Sequence, residues 1–224
     1  MSTNSPTSED IDASSARSDS LMIYEHLTRL CEFRGATVTE RVARAKFSAT
    51  MDTDHYARIT AERPAIDIRG RAHLVIYQFS TYRYIDASSP KFAPFLERAI
   101  KARPNDDNEY NIILVTSAPI GTSIARIIAE RREPGIIIEH FLASMFFIVV
   151  PEHSCVPKHT IVPRDEVAQL CREMHLLVSD LPCLLAGATP DPMAAWLGLR
   201  VGMVVRIDRP SETAGMETVY RRCA

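Results

Sequence analysis

Glycine, aromatic residues and paired cysteines are all scarce in this chain. Eight glycines in 224 residues leave no room for a glycine-rich phosphate loop, and neither GxSxG nor the Walker pattern occurs. Gly121-Thr122-Ser123 is a lone glycine before a helix start, which suits an N-cap rather than a phosphate site. The five cysteines (Cys31, Cys155, Cys171, Cys183, Cys223) are odd in number and lack CxxC spacing, so they read as small apolar fillers in a reducing compartment. The longest apolar run, Phe141 to Val150, is about half of what a membrane span needs and stops at Pro151. No signal peptide is legible in Met1 to Ser20, which is polar and holds seven serines. These features predict a protein of the cell interior with no membrane partner.

Charge of one sign is also lacking. The formal net charge is −2, and the segments differ only mildly: −3 over residues 1–20, +3 over 21–135 and −2 over 136–224. Any attraction to phosphate falls on the middle segment, and weakly. With 46% apolar and 24% charged residues, the chain can build one or two small cores.

Residues 1–20 have the composition of a disordered tail. Leu21, Tyr24, Leu27 and Leu30 then recur at helical spacing, with Asp19 or Ser20 as N-cap and Gly35 as stop. A second helix is expected from Thr39, with Val42, Ala45 and Ala49 inward and a basic outer face. Residues 52–70 show no clean period. His73 to Ser80 reads as a buried strand, Phe92 to Ala102 as a helix, Tyr110 to Thr116 as a strand and Thr122 to Arg132 as a helix ended by Pro134-Gly135. This order predicts an α/β domain over 21–135 with a small helix-covered sheet containing parallel pairs. A small α+β domain is expected over 136–224. Its strands are placed at Ile136 to Ile138 and Phe146 to Val150, its helices at Arg164 to Met174 and Pro192 to Leu197. The run Phe141 to Val150 is too apolar for a strand with a wet face, so it lies in a core or against another chain.

The last segment carries the most information. Val205 and Ile207 alternate with Arg206 and Asp208, and a matching run ends at Tyr220. Between them Pro210, Ser211, Thr213 and Gly215 supply turn chemistry, and Arg209 and Glu212 supply opposed charges. The pattern predicts a hairpin whose seven-residue tip, Arg209 to Gly215, is built to meet a partner.

Taken with EHSCVPKHTIVPRDEV (Glu152 to Val167), DLP (Asp180 to Pro182), Asp191-Pro192, LGL and VGMVVRI (Leu197 to Ile207), the RPSETAG tip resembles one family of RNA polymerase subunits. That family comprises a small archaeal RNA polymerase subunit and the C-terminal domain of the fifth subunit shared by eukaryotic nuclear RNA polymerases. The resemblance covers residues 136–222; a looser one, at LCEFRGATVT (Leu30 to Thr39), touches the eukaryotic N-terminal region. It implies a non-catalytic polymerase subunit with an N-terminal jaw-like domain near downstream DNA and a C-terminal assembly domain docked on the largest subunit. The implied interface residues are Val156, Pro157, His159, Asp191, Pro192, Arg209, Pro210, Ser211, Glu212, Thr213, Gly215 and Tyr220. It also implies other polymerase subunits and transcription factors as partners, and a location in the nucleus or nucleolus. A free-standing adaptor that binds transcription factors is the competing reading.

Other sites are weighed by their chemistry. His153, Cys155 and His159 cluster, but no second ligand pair follows at zinc spacing, so no metal and no cofactor are expected. No nucleophile, base and oxyanion constellation is visible, nor an acidic metal site around Asp67 and Asp86, so no catalytic residues are assigned. Arg41, Arg44 and Lys46, with Arg58, Arg63, Arg69 and Arg71, form the densest basic stretch. The first three are candidates for weak contact with the duplex backbone, although interleaved acids blunt the potential. Ala195 stands where the family pattern carries Arg, Trp196 where it carries Tyr, and the stretch after DLP is longer by about two residues. Losing that Arg at an interface would remove a charge-assisted bond of roughly 1.5 to 3 kcal/mol. Such divergence resembles a copy dedicated to RNA polymerase I.

Overall fold

The computed structural model describes residues 8–64, 71–79, 92–106, 108–131, 133–186, 190–213 and 215–224. The chain divides into two compact units, Met1–Ile148 and Val149–Ala224.

The first unit contains α1 (Ser8–Phe33), β1 (Thr37–Arg41), α2 (Phe47–Asp54), β2 (Tyr56–Pro64), β3 (Arg71–Phe79), α3 (Phe92–Lys101), β4 (Glu109–Thr116), α4 (Thr122–Glu130) and β5 (Ile136–Leu142). Its sheet has the order β1-β2-β3-β4-β5. The β1–β2 and β2–β3 pairs are antiparallel, and β3–β4 and β4–β5 are parallel. Every residue of β4 is buried, as a central strand covered on both faces requires. On one face Val75, Tyr77, Tyr110, Ile112 and Leu114 pack under Phe95 and Leu96 of α3 and Ile124 and Ile128 of α4. The Phe95 ring meets Tyr56, Tyr77 and Phe79 edge-on at 5.2, 5.0 and 5.2 Å, the geometry favoured by the ring quadrupole.

The α1 and α2 helices contact β2, and α1 also contacts β3. Ile23, Leu27 and Leu30 are fully buried. Gln78 Nε2 donates to the Ser20 carbonyl at 2.7 Å, and the Tyr24 hydroxyl donates to Arg58 O at 2.8 Å while accepting from Val42 N at 2.7 Å. At the far end of α1, the buried Arg34 guanidinium reaches Glu139 of β5 at 2.7 Å, and Asn111 Nδ2 donates to the same carboxylate at 2.8 Å.

Several expectations are corrected here. Helix α1 begins at Ser8, so residues 8–20 are not a disordered tail; residues 1–7 lie outside the described residues. Glu9, Asp10 and Asp12 suit the positive end of a helix dipole, and a packed C-terminal half propagates helix at little cost. Thr39 starts no helix: Thr37, Val38 and Thr39 are β-branched and pair with β2, and α2 follows a 3-10 turn at Arg44–Lys46. The inward residues of α2 are Phe47 and Met51 rather than Val42, Ala45 and Ala49. Strand β2 escaped prediction because its buried side is Ala57, Ile59, Ala61 and Arg63, small or charged residues that mask the alternation. The buried Arg63 lies 3.7 Å from the buried Glu109.

The border between the units falls at Ile148 and Val149, not at 135 and 136, because β5 is held in the first sheet by parallel pairing with β4. Phe146 to Val150 forms no strand either. A 3-10 turn at Ala143–Phe146 buries Phe146 against Phe141, with ring centroids 6.0 Å apart, and Phe147 and Ile148 are exposed.

The second unit contains β6 (Lys158–Val162), α5 (Arg164–Met174), β7 (Cys183–Leu184), α6 (Pro192–Leu197), β8 (Val204–Ser211) and β9 (Gly215–Cys223). The sheet order is β6-β8-β9-β7, with only the β7–β9 pair parallel. One face carries Leu184, Val205, Ile207 and Cys223 under Met193, Ala194 and Leu197 of α6. The other face carries Val204, with Tyr220 packed at its side, against Val167 of α5 and Leu181. Asp191 caps α6, its Oδ1 accepting from Met193 N at 2.8 Å, and Pro192 takes the first helical position.

Two substitutions test these anchors. Glu139→Gln leaves the buried Arg34 charge uncompensated and is expected to lower the stability of the first unit by about 3 kcal/mol in urea unfolding; an unchanged midpoint contradicts the anchoring role. Asp191→Ala is expected to cost the second unit about 1 kcal/mol by the same method, and no loss would show the cap to be energetically silent.

Candidate subunit interface

The hairpin is more regular than its sequence suggests. Cross-strand pairing continues through Arg209↔Glu217, Pro210↔Met216 and Ser211↔Gly215, so β8 runs to Ser211 and β9 starts at Gly215. The expected seven-residue tip therefore reduces to the turn after Ser211, with Glu212 and Thr213 exposed and position 214 outside the described residues. The register also replaces the expected pairing of Arg209 with Glu212: Arg209 Nε donates to Glu217 Oε2 at 3.0 Å. Gly215 has φ +72°, and a Cβ there would meet nothing within 4 Å, so glycine serves the left-handed backbone and not a close approach. Pro210 lies past Asp208, the last residue of β8 with a partner in β6.

Beside this tip sits a polar cluster that periodicity alone did not single out. Arg206 binds Asp208 through two nitrogens at 2.9 and 3.0 Å, and Thr218 Oγ1 donates to Asp208 at 2.7 Å. The Arg206 guanidinium, followed by the Thr218 hydroxyl, holds the Asp208 carboxyl below its usual range. Met216 stands exposed next to them. The signal was present as Arg206 and Asp208 on one side of an alternating strand, but the partner Thr218 requires the hairpin register.

The VPKH segment joins the same end. Lys158 pairs with Asp208, which brings Val156 and Pro157 beside the Arg209–Pro210 part of the hairpin. Val156 packs against the α6-side core, and the His159 ring is tied back by hydrogen bonding between Nδ1 and Pro157 O at 2.7 Å. His153 Nδ1 accepts from Cys155 N at 3.2 Å, a local turn. Among the described residues no group of three or more His, Cys, Asp or Glu side chains is arranged to hold a metal, and no helix is long and apolar enough to cross a membrane.

Asp191 and Pro192 lie elsewhere. Asp191 N donates to Leu185 O at 2.8 Å, and Leu184 pairs with Cys223 at the opposite end of β9 from Gly215. Nine residues of strand separate the two ends by roughly 27 Å at about 3.3 Å per residue. Tyr220 is half-buried against the α5 side of the sheet. The candidate interface thus has one cluster at the tip, formed by Arg209 to Gly215 with Val156 and Pro157, and a second locus at the start of α6. Ala195 and Trp196 are buried within α6.

In the first unit, Arg41, Arg44 and Lys46 are exposed where β1 ends and the 3-10 turn follows. Arg44 lies 3.3 Å from Glu25. Arg58 is paired with Glu40 at 2.7 Å. Arg69, Asp67 and Asp86 and the side chain of Arg71 lie outside the described residues, as do positions 187–189.

Residues 148–223 match the family model described as RNA polymerase Rpb5, C-terminal domain. The chain is 36% identical over 135 residues to DNA-directed RNA polymerases I, II, and III subunit RPABC1 of Caenorhabditis elegans, a stretch covering 59% of this chain and 62% of that protein. It is 35% identical over 112 residues to the Dictyostelium discoideum subunit of the same name, covering 50% and 55%. It is 34% identical over 122 residues to a DNA-directed RNA polymerase RPB5 homolog of African swine fever virus, covering 52% and 58%. The matches span about three-fifths of the length of these relatives. The second compact unit, which begins at Val149, therefore coincides with the stretch that carries the Rpb5 C-terminal domain pattern.

Proposed function

We propose that this chain is a non-catalytic subunit of a DNA-dependent RNA polymerase, with its second unit serving as the assembly domain. The observation that carries this reading is the agreement between the Rpb5 C-terminal match over 148–223 and a compact unit with its own core. In this reading the largest subunit seats on the tip cluster, where Arg209, Pro210, Ser211, Glu212 and Thr213 project beyond β6 and Val156 and Pro157 flank them. The cross-strand pairs Arg206–Asp208 and Arg209–Glu217 stiffen the projecting strands, so little ordering entropy is left to lose on docking. Asp191 and Pro192 would contribute mainly by fixing α6.

The first unit would form the jaw-like module near downstream DNA, with transcription factors as further partners. The exposed Arg41, Arg44 and Lys46 offer backbone-only contact with duplex. The names of the relatives support a nuclear place of action. Assignment to RNA polymerase I, and to the nucleolus, rests on the divergence at Ala195, Trp196 and the stretch after Pro182.

Replacing both Arg209 and Glu212 by Ala is expected to weaken co-purification of the tagged chain with the largest subunit while the far-UV circular dichroism stays unchanged; undiminished recovery would refute docking through the tip. The wild-type purification also tests the polymerase I assignment, which fails if the largest subunits of polymerases II and III are recovered in equal amounts. Replacing Arg41, Arg44 and Lys46 by Ala is expected to reduce the salt dependence of non-specific duplex binding by up to about three in the log–log slope. An identical slope would remove these residues from any DNA contact.

A further inference from the structure

The edge of the second sheet remote from the hairpin tip carries an unusual combination of groups. Strand β7 forms that edge, pairing Cys183 with Arg222 and Leu184 with Cys223. The ladder runs on through Ala224 N to Leu184 O at 3.0 Å and Ala186 N to Ala224 O at 2.9 Å. Leu184 points into the core beneath α6, so strand alternation turns Cys183 and Leu185 to the opposite face, the one shared by Arg222. Leu185 is 59% exposed there. The turn after α5 adds Leu177, 69% exposed, with Met174 and Leu176 beside it in sequence and also exposed.

Two guanidinium groups flank these side chains. Arg222 Nε donates to Ser179 O at 3.3 Å, and Arg221 Nη1 donates to Cys183 O at 3.2 Å. Main-chain carbonyls thus hold both arginines in place, and neither makes an ion pair among the described residues. Asp180, the acid of the same segment, spends both oxygens locally, accepting from Leu177 N at 2.9 Å and from Ser179 Oγ at 3.3 Å. Exposed leucines beside fixed, charge-unbalanced arginines form a surface with a definite complement: apolar side chains with a carboxylate between them.

We propose that the β7 edge, through Leu177, Leu185, Arg221 and Arg222, docks an acidic, apolar segment of a partner protein. The partner's carboxylate would be gripped by the arginines and its leucine or phenylalanine side chains would cover Leu177 and Leu185. This surface lies at the other end of β9 from the tip cluster and does not depend on docking there.

The test uses the full chain and a short fluorescein-labelled peptide in which Asp alternates with Leu and Phe, read by fluorescence anisotropy. Saturable binding that weakens with salt is expected, together with a loss of about tenfold for Leu185→Asp and for Arg222→Glu. The same peptide with Lys for Asp should bind Arg222→Glu better than it binds the wild type. Circular dichroism checks that both variants fold, and Leu185→Asp changes only an exposed side chain. No saturable binding to the wild type, equal binding of the Lys peptide, or unchanged affinity in folded Leu185→Asp would each overturn the proposal. None of these outcomes bears on the Arg209 and Glu212 co-purification, so the two readings fail separately.

Discussion

The register between β8 and β9 is the constraint on which the second unit depends. It sends Val205 and Ile207 into the core under α6 and leaves Arg206 and Asp208 outside. Each of those apolar side chains contributes on the order of 1.5 to 3 kcal/mol by leaving water. A slip by one residue would exchange them for Arg206 and Asp208, which would bury an ion pair and expose the apolar face. The same register sets Arg209 opposite Glu217 and Thr218 next to Asp208, so the core and the projecting polar tip are specified by one set of hydrogen bonds.

What was legible in the sequence follows from how cleanly burial shows as a period. β3, α3, β4, α4, α5 and α6 were readable to within a residue or two, because long β-branched runs and caps such as Pro163, Asp191 and Gly135 mark them. β2 was not, since its inward side is Ala57, Ile59, Ala61 and Arg63 and the partner that makes Arg63 tolerable, Glu109, lies far along the chain. β5 was placed correctly at its start but in the wrong domain, because three isoleucines announce a strand and not which sheet it joins. The interface residues were named from the resemblance, and the structure sorts them: Val156 and Pro157 reach the Arg209 end of the hairpin only through the Lys158↔Asp208 pairing, a long-range fact that no local motif contains.

The two units differ in how they are secured. The first is a broad sheet closed on one face by aromatic and aliphatic packing around Phe95 and tied on α1 by Arg34, Glu139 and Asn111. The second is small, with a thin core on each face of a four-stranded sheet, and it exposes Met174, Leu176, Leu177, Leu185, Val201 and Met216. A unit of that size with so much apolar surface gains most from being covered by a partner, in keeping with an assembly role. Its shape, rather than any reactive group, is what the proposed function uses.

The most direct measurement is the sedimentation of the tagged full chain in native extract, fractionated on a glycerol gradient and probed for the largest polymerase subunit. A polymerase subunit is predicted to sediment with that subunit as a very large complex. A chain found only at the position of a free monomer, away from the largest subunit, would contradict the account and favour a free-standing adaptor.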